Sequence, residues 1–432
     1  MRRLPISRWV PIAITVCILF TFSPPGYTQN TAVPVLQPLA DKPGPAPAGL
    51  KTGAAFYVPA TVDTARWGAL PDAQSKPILT VPSGAVVTFD TVSHEGILED
   101  QGRDPVKYFG QFGIAPKDVL KDAQALAASH LEHDFYKDGP HIVIGPVEVA
   151  GAQPGDILKI EMVSLIPRVP YGVIANRHGK GALPGEFPET PKPDPAASAA
   201  HPELYHNVFR FVALQSVKGK FYCTLKDNHG RTLHFPAAPF QGTMGVAPSA
   251  TGRLNSIPPG TYGGNLDIRY LTQGAILYLP VQVAGAQFFI ADPHFAQGNG
   301  ETALTAVEGS LRTTLRLTVL KFGQPGYPSK EQLISPFAET SEYWIPIGLD
   351  PDLNEAMKAA VRNAIAYLAA NQGVDRATAM AYLSAATDFE VSQVVDRTKG
   401  IHGLIRKSDF RSVKTTAAKQ AAAPKQAAAP KQ

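Results

Sequence analysis

Apolar and polar positions alternate most regularly across Leu311 to Leu320, LRTTLRLTVL, where Leu311, Thr313, Leu315, Leu317 and Val319 share one face of an extended chain. That period predicts a half-buried strand. The runs Ala85 to Val92, Ile157 to Leu165 and Ile276 to Val283 are likewise rich in apolar, β-branched and aromatic residues. Pro154-Gly155-Asp156 and Pro258-Pro259-Gly260 supply the turns between such segments. A helical period emerges only late. Asp350-Pro351 offers an N-cap with proline at the first helical position, and Leu353, Met357, Val361, Ile365 and Leu368 then recur at spacings of three or four. Asn371-Gln372-Gly373 ends this helix, and Asp375 caps a second one running through Met380 to Ala386. The predicted fold class is therefore mainly β, sandwich- or jelly-roll-like, with an α+β C-terminal portion. PVEVAGAQ (146–153) returns as PVQVAGAQ (280–287), which suggests two related β halves.

Composition agrees with that reading. The chain has 432 residues, 44% of them hydrophobic, enough for a substantial core, and its 37 glycines and 40 prolines favour short strands and turns. A net charge of +4 with no arginine-rich or aromatic-interleaved stripe gives no reason to expect nucleic acid as a partner.

A basic start (MRRLPISR), an apolar run to Phe22 and a polar exit read as a secretory signal over 1–28, which predicts a periplasmic or secreted protein, with no membrane association after cleavage. Residues 29–55, rich in Pro, Ala and Gly, read as a flexible linker. Residues 56–410 form the globular part, β-rich to about 325 and α+β over 326–410, and 411–432 read as a disordered tail carrying the AAAPKQ repeat. Beyond the leader the single cysteine is Cys223, in the alternating run FYCTLKD, where a buried small hydrophobe is expected rather than a reactive thiolate.

Potential ligands are densest in GGNLDIR (263–269) and ADPHFAQGNGE (291–301). Asn265 and Asp267 lie two residues apart, as do Asp292 and His294, so each pair leaves one face of an extended segment. One imidazole with carboxylates and an amide oxygen suits a hard or borderline divalent ion, zinc, calcium or manganese; Asn/Asp/Gly turn chemistry without metal is the competing explanation. His94, Glu95 and His141 are candidate acid/base groups, although neighbours on a strand point to opposite faces, which separates His94 from Glu95 unless the strand has ended. No G-x-S-x-G elbow, H-E-x-x-H helix, P-loop or dinucleotide fingerprint occurs, which leaves a water nucleophile activated by metal as the economical expectation.

The runs GPVEVAGAQPGDILKIEM, GTMGVAPS, PPGTYGGNLDIRYLTQGAILYLPVQVAGAQFFIADPHFAQGNGET, GLDPDLNEAMKAAVRNAI and VSQVVDRTKGIHG together resemble the acetamidase/formamidase family over roughly residues 81–410. The resemblance implies hydrolysis of short aliphatic amides to acid and ammonia, a homo-oligomer, and a divalent metal, with zinc expected first. It carries Asn265, Asp267, Asp292, His294 and Glu301 as the ligand group, with His141 beside them. Gly263 and Gly264, whose backbone can approach a ligand closely, and Gln297 are candidate substrate-binding positions. The text between Thr91 and Pro140 departs from the family pattern, as does the export signal. A different amide or an amidine-like substrate, or a binding protein that keeps the fold without the chemistry, are the alternatives.

Overall fold

The computed structural model describes residues 30–31, 33–50 and 52–410; the expected signal (1–28) and tail (411–432) lie outside them. The strands that build the site are β1 (Ala85–Asp90), β2 (Ile142–Val149), β3 (Ile157–Pro167), β4 (Phe240–Val246), β5 (Gly263–Asn265), β6 (Ile276–Pro280), β7 (Phe288–Ala296), β8 (Val307–Glu308) and β9 (Leu311–Leu320). After them come β10 (Tyr343–Asp350), α1 (Leu353–Gln372), α2 (Arg376–Ala386), β11 (Asp388–Gln393) and β12 (Lys399–Arg406). Two large, mostly antiparallel sheets result. One contains β2, β4, β5, β7 and β8; the other runs β1, β9, β3, β6 and on to β10, β12 and β11.

β7 is the pivot of the first sheet. It pairs with β4 along one edge and with β2 and β8 along the other, and Phe288, Phe289, Ile290 and Ala291 are buried on both faces. Residues buried on both sides read as a continuous apolar run, and each such phenylalanine or isoleucine contributes about 1.5–3 kcal/mol. The sheets pack through one shared core, with Phe89 of β1 against Phe288 of β7 at 5.6 Å between ring centroids.

The repeated octapeptide has a structural counterpart. Its first copy ends β2 and carries the chain into β3 of the other sheet; its second copy leaves β6 and returns to β7. β2 pairs with β7 and β3 with β6, and the two turns bond each other: Val149 N donates to Gly285 O at 2.8 Å and Gly285 N to Ala152 O at 2.9 Å.

Two details differ from the sequence expectation. The first concerns the helix start, which lies one step later: Asp350 ends β10, and Asp352 is the cap, accepting from Asn354 N and Glu355 N. The buried stripe of α1 is accordingly Ala356, Ala360, Ala364, Tyr367 and Leu368, with Met357 outside. Alanines serve because α1 lies directly on β10, where a Cβ added at Gly348 would sit 2.1 Å from Ala356 O. The second concerns the segment expected as a flexible linker, which from Val33 onward is fastened to the body. Leu36 N donates to Arg168 O at 2.8 Å, Arg312 Nη2 donates to Gln37 O at 2.9 Å, and Gly44–Pro45 pairs with Phe56–Tyr57. Arg168 and Arg312 are themselves held by buried Asp90. Cys223 is buried, and burial pushes its thiol up to about 12. No helix among the described residues is long and apolar enough to cross a membrane.

Candidate active site

β1 ends at Asp90, and the loop after it turns both His94 and Glu95 into the interior. The strand has ended, so the adjacent side chains come together: His94 Nε2 lies 3.2 Å from Glu95 Oε1. Glu95 is gripped in turn by Arg177, at 2.8 and 3.3 Å, and by the Gln101 side-chain amide. Arg177 also binds Asp100 at 2.6 Å. Arg177 and His94, working against burial, hold the Glu95 carboxyl down to about 2. At neutral pH Glu95 is therefore a carboxylate beside His94, placed to accept a proton rather than to donate one.

Opposite His94 stand His141, just before β2, and Asp292, on β7. Asp292 Oδ1 lies 3.7 Å from His94 Nδ1 and 3.7 Å from His141 Nε2. His141 Nδ1 meets Ser256 Oγ at 2.8 Å, which directs Nε2 inward. Burial pushes His141 down to about 4, while Glu95, with other nearby carboxylates, raises His94 against the effect of burial.

Two residues further along β7, His294 Nε2 is 3.0 Å from Asp292 Oδ2 and 3.1 Å from Glu308 Oε1. Glu308 sits across the β7–β8 ladder from His294. Gln297 Nε2 donates to the carbonyls of Asp267 and Ser392, at 2.9 and 3.1 Å, so its oxygen faces His294 Nδ1 at 3.2 Å. His294 is thereby protonated on Nδ1, and Nε2 is presented to the carboxylates.

The backbone is bent to make this meeting possible. Asp267, Asp292 and Glu301 all adopt left-handed φ, at 50°, 57° and 45°. Such conformations are sparsely populated away from glycine, cost on the order of 1–3 kcal/mol, and gather at functional sites. In β7 the kink at Asp292 interrupts alternation and falls opposite Gly242, where the β4 ladder skips a pair. A Cβ at Gly242 would come within 2.4 Å of Asp267 Oδ1, 2.7 Å of Asp292 Oδ2 and 2.7 Å of His294 Cε1. Only glycine leaves room for the cluster.

Burial, and secondly the charge of Asp292, push Asp267 up to about 7. Burial does the same to Glu308, also to about 7. Glu301 and Asp396 are also raised well above the carboxylate range, by burial and then by the neighbouring Asp267. Asp292 goes the other way: against burial, His294, His141 and His94 hold it below the carboxylate range. His294 is raised by Glu308 and Asp292 despite burial.

These atoms fit a divalent cation. Buried Asp267 Oδ1 and Oδ2, Asp292 Oδ1, His94 Nδ1, His294 Nε2, Glu308 Oε2 and Asp396 Oδ2 have no hydrogen-bond partner within the protein, an expensive arrangement for polar atoms. His94, His141 and Asp292 form one set of converging donors; Asp292, His294 and Glu308 a second; Asp267, His294 and Glu301 a third. The 3.7 Å separations of the first set exceed a hydrogen bond and suit ligands spread around one ion at about 2.0–2.2 Å each.

Of the residues expected from sequence, His94, His141, Asn265, Asp292 and Glu301 line one cavity of ≈450 Å³, together with Glu308 and Asp396. Asp267 and His294 stand just behind it, fully buried. Gly263, Gly264 and Gln297 do not line that cavity. The two glycines, both at positive φ, carry the β5 turn that delivers Asn265 and Asp267, and Gln297 orients His294. Gly242, Glu308, Asp396 and Arg177 were not legible as site residues, although Asp396 lies within VSQVVDRTKGIHG, one of the runs that carry the family resemblance.

The model of the Acetamidase/Formamidase family matches residues 247–404. A formamidase of Methylophilus methylotrophus is 27% identical over 53% of this chain and 66% of its own length, and an acetamidase of Mycolicibacterium smegmatis 26% identical over 43% and 55%. The chain thus spans about half to two thirds of these curated relatives. Among solved structures, an acetamidase from Bacillus halodurans superposes with a TM-score of 0.60 at 25% identity, covering 82% of this chain and 99% of that one. An acetamidase from Yersinia enterocolitica also gives 0.60 at 25% identity, over 84% and 95%.

Proposed function

Because residues 247–404 match the model of the Acetamidase/Formamidase family, we propose that this chain hydrolyses the C–N bond of a small linear amide. Water adds to the carbonyl carbon, the C–N bond breaks, and a carboxylic acid and ammonia leave. The observation that carries the reading is the meeting of His94, His141, Asp292, His294 and Glu308 around partnerless buried atoms beside a cavity.

His94 Nδ1, His141 Nε2 and Asp292 Oδ1 would hold the ion in one set, and His294 Nε2 with Asp292 Oδ2 and Glu308 in the other; two imidazoles and a carboxylate favour zinc. When bound, such an ion supplies Lewis acidity, polarising an amide carbonyl and making water more acidic. The protein supplies the rest. Gln297 fixes the His294 tautomer, Ser256 holds the His141 ring with Nε2 inward, and Glu95, gripped by Arg177, stands beside the His94 ring. When the first set holds the ion, Glu308 is spared as a base on the cavity wall, where burial raises its carboxyl to about 7. It is placed to accept a proton from the attacking water and return one to the departing nitrogen.

Export through the leader at residues 1–28 and assembly into a homo-oligomer are part of the same proposal. Ammonia release from formamide and acetamide by the purified protein tests the activity.

A further inference from the structure

The cavity is much larger than the amides that name the family. Liquid water occupies about 30 Å³ per molecule, so an amide of three or four heavy atoms fills a small part of ≈450 Å³. A volume of this size belongs to ligands with several more carbons. Part of its wall comes from Phe135, Tyr136 and Pro140, within or at the end of the 91–140 stretch that departs from the family pattern, and part from Pro184 and Tyr205. Those apolar surfaces are suited to an aliphatic chain.

Charge is divided across the same cavity. Asp292, Glu301, Glu308 and Asp396 lie at the buried end. At the open end stand Lys180 and Arg397, both exposed, and Lys399, whose Nζ donates to Pro351 O. Among the described residues no carboxylate is within ion-pairing distance of Lys180 or Arg397. Asp138, the remaining acid of the lining, is engaged by Arg253 at 2.8 Å, and Arg177 is neutralised by Glu95 and Asp100. Lys180, exposed at its surface but partly desolvated against the wall, has its proton affinity lowered by that desolvation and by the nearby positive charges of Arg397 and Arg177. Mutually repelling cations at the rim of a cavity with apolar walls are relieved by an anion.

Resting on the amide-hydrolase reading, we propose that the substrate is an amide bearing a compact anion, a carboxylate, at the end remote from the scissile bond: a half-amide of a dicarboxylic acid. The amide group enters the His/Asp/Glu floor and the carboxylate reaches Lys180 and Arg397. For succinamate the reaction is succinamate plus water giving succinate and ammonium, with the leaving ammonia taking up the proton released by the new carboxyl group.

The test compares succinamate with butyramide, a neutral amide of similar size, and with acetamide, by ammonia release. In parallel, calorimetry compares binding of the products succinate and butyrate. Both are repeated on the K180Q/R397Q double variant, whose changes are at exposed positions. The expected result is a kcat/KM for succinamate about tenfold or more above butyramide, with succinate bound more tightly than butyrate, both preferences shrinking toward unity in the double variant through KM. Turnover of acetamide and butyramide without any preference for succinamate or succinate overturns the inference and leaves the amidase reading standing. A preference that survives in the double variant also overturns it. No turnover of any amide, with succinate still held through Lys180 and Arg397, sinks the amidase reading and keeps the anion site; no turnover and no succinate binding removes both.

Discussion

Gln297 Oε1 lies 3.2 Å from Nδ1 of His294, and because the Gln297 amide nitrogen is already committed to two backbone carbonyls, the ring must present Nε2 to Asp292 and Glu308. A lone pair facing two carboxylates calls for a cation between them, and in the metal-free protein a proton takes that place, which is why His294 is so basic. Metal affinity and proton affinity have one origin here.

Gln297→Leu removes the tautomer control while leaving every ligand in place. The expected outcome is a metal affinity lower by roughly 10–100-fold, the usual cost of losing such a supporting partner. Competition against a chromophoric chelator measures it. An unchanged affinity contradicts the tautomer argument.

Gly242→Ala places a methyl group against Asp267, Asp292 and His294 at once. Overpacking of this kind costs about 1–3 kcal/mol, so the fold should survive with a lower melting temperature while metal content and amide hydrolysis are lost together. Circular dichroism, elemental analysis and an ammonia assay on the same preparation check this. Full metal occupancy in the variant would show that the cluster does not depend on that close approach.

The metal-free protein should lose stability as pH rises through about 7. Asp267 and Glu308 have folded-state values raised to about 7 from unfolded values of roughly 4, so the folded state holds the extra protons and their contribution fades as those protons leave. His141, pushed down to about 4, acts in the opposite sense, but its effect is complete above about pH 6.5. Melting curves of chelator-treated protein at pH 6, 7 and 8 should therefore fall in that order. Saturating zinc, which prefers the ionised carboxylates, should abolish the fall, and binding should release protons to the buffer. A melting temperature that rises from pH 6 to 8 without metal runs against the buried-acid account.

Much of this architecture was legible because it is periodic. Leu311–Leu320 is a strand with the predicted bounds, and Asp375 caps the second helix, accepting from Ala377 N and Thr378 N. The first helix began later than its proline suggested, because β10 continues through Asp350 and leaves the capping role to Asp352. The stretch from Val33 looked like linker because its composition is Pro- and Ala-rich, but its bonds to Arg168 and Arg312 depend on partners far along the chain. The site was legible where ligands lie close in sequence, as with Asp292 and His294. Glu308 and Asp396 carry no local signal, since what brings them in is the β7–β8 register and the loop between β11 and β12. Nor did spacing foretell the left-handed backbone at Asp267, Asp292 and Glu301, which turns these carboxylates inward irrespective of strand alternation.

The central claim is that one buried cluster both holds a divalent cation and hydrolyses amides. Ammonia release from acetamide and formamide should be followed on the purified protein as isolated, after exhaustive chelation, and after return of zinc, with metal content determined at each stage. The account predicts release that disappears with the metal and returns with it. Release that persists in verified metal-free protein, or no release from any amide in metal-loaded protein, would contradict it.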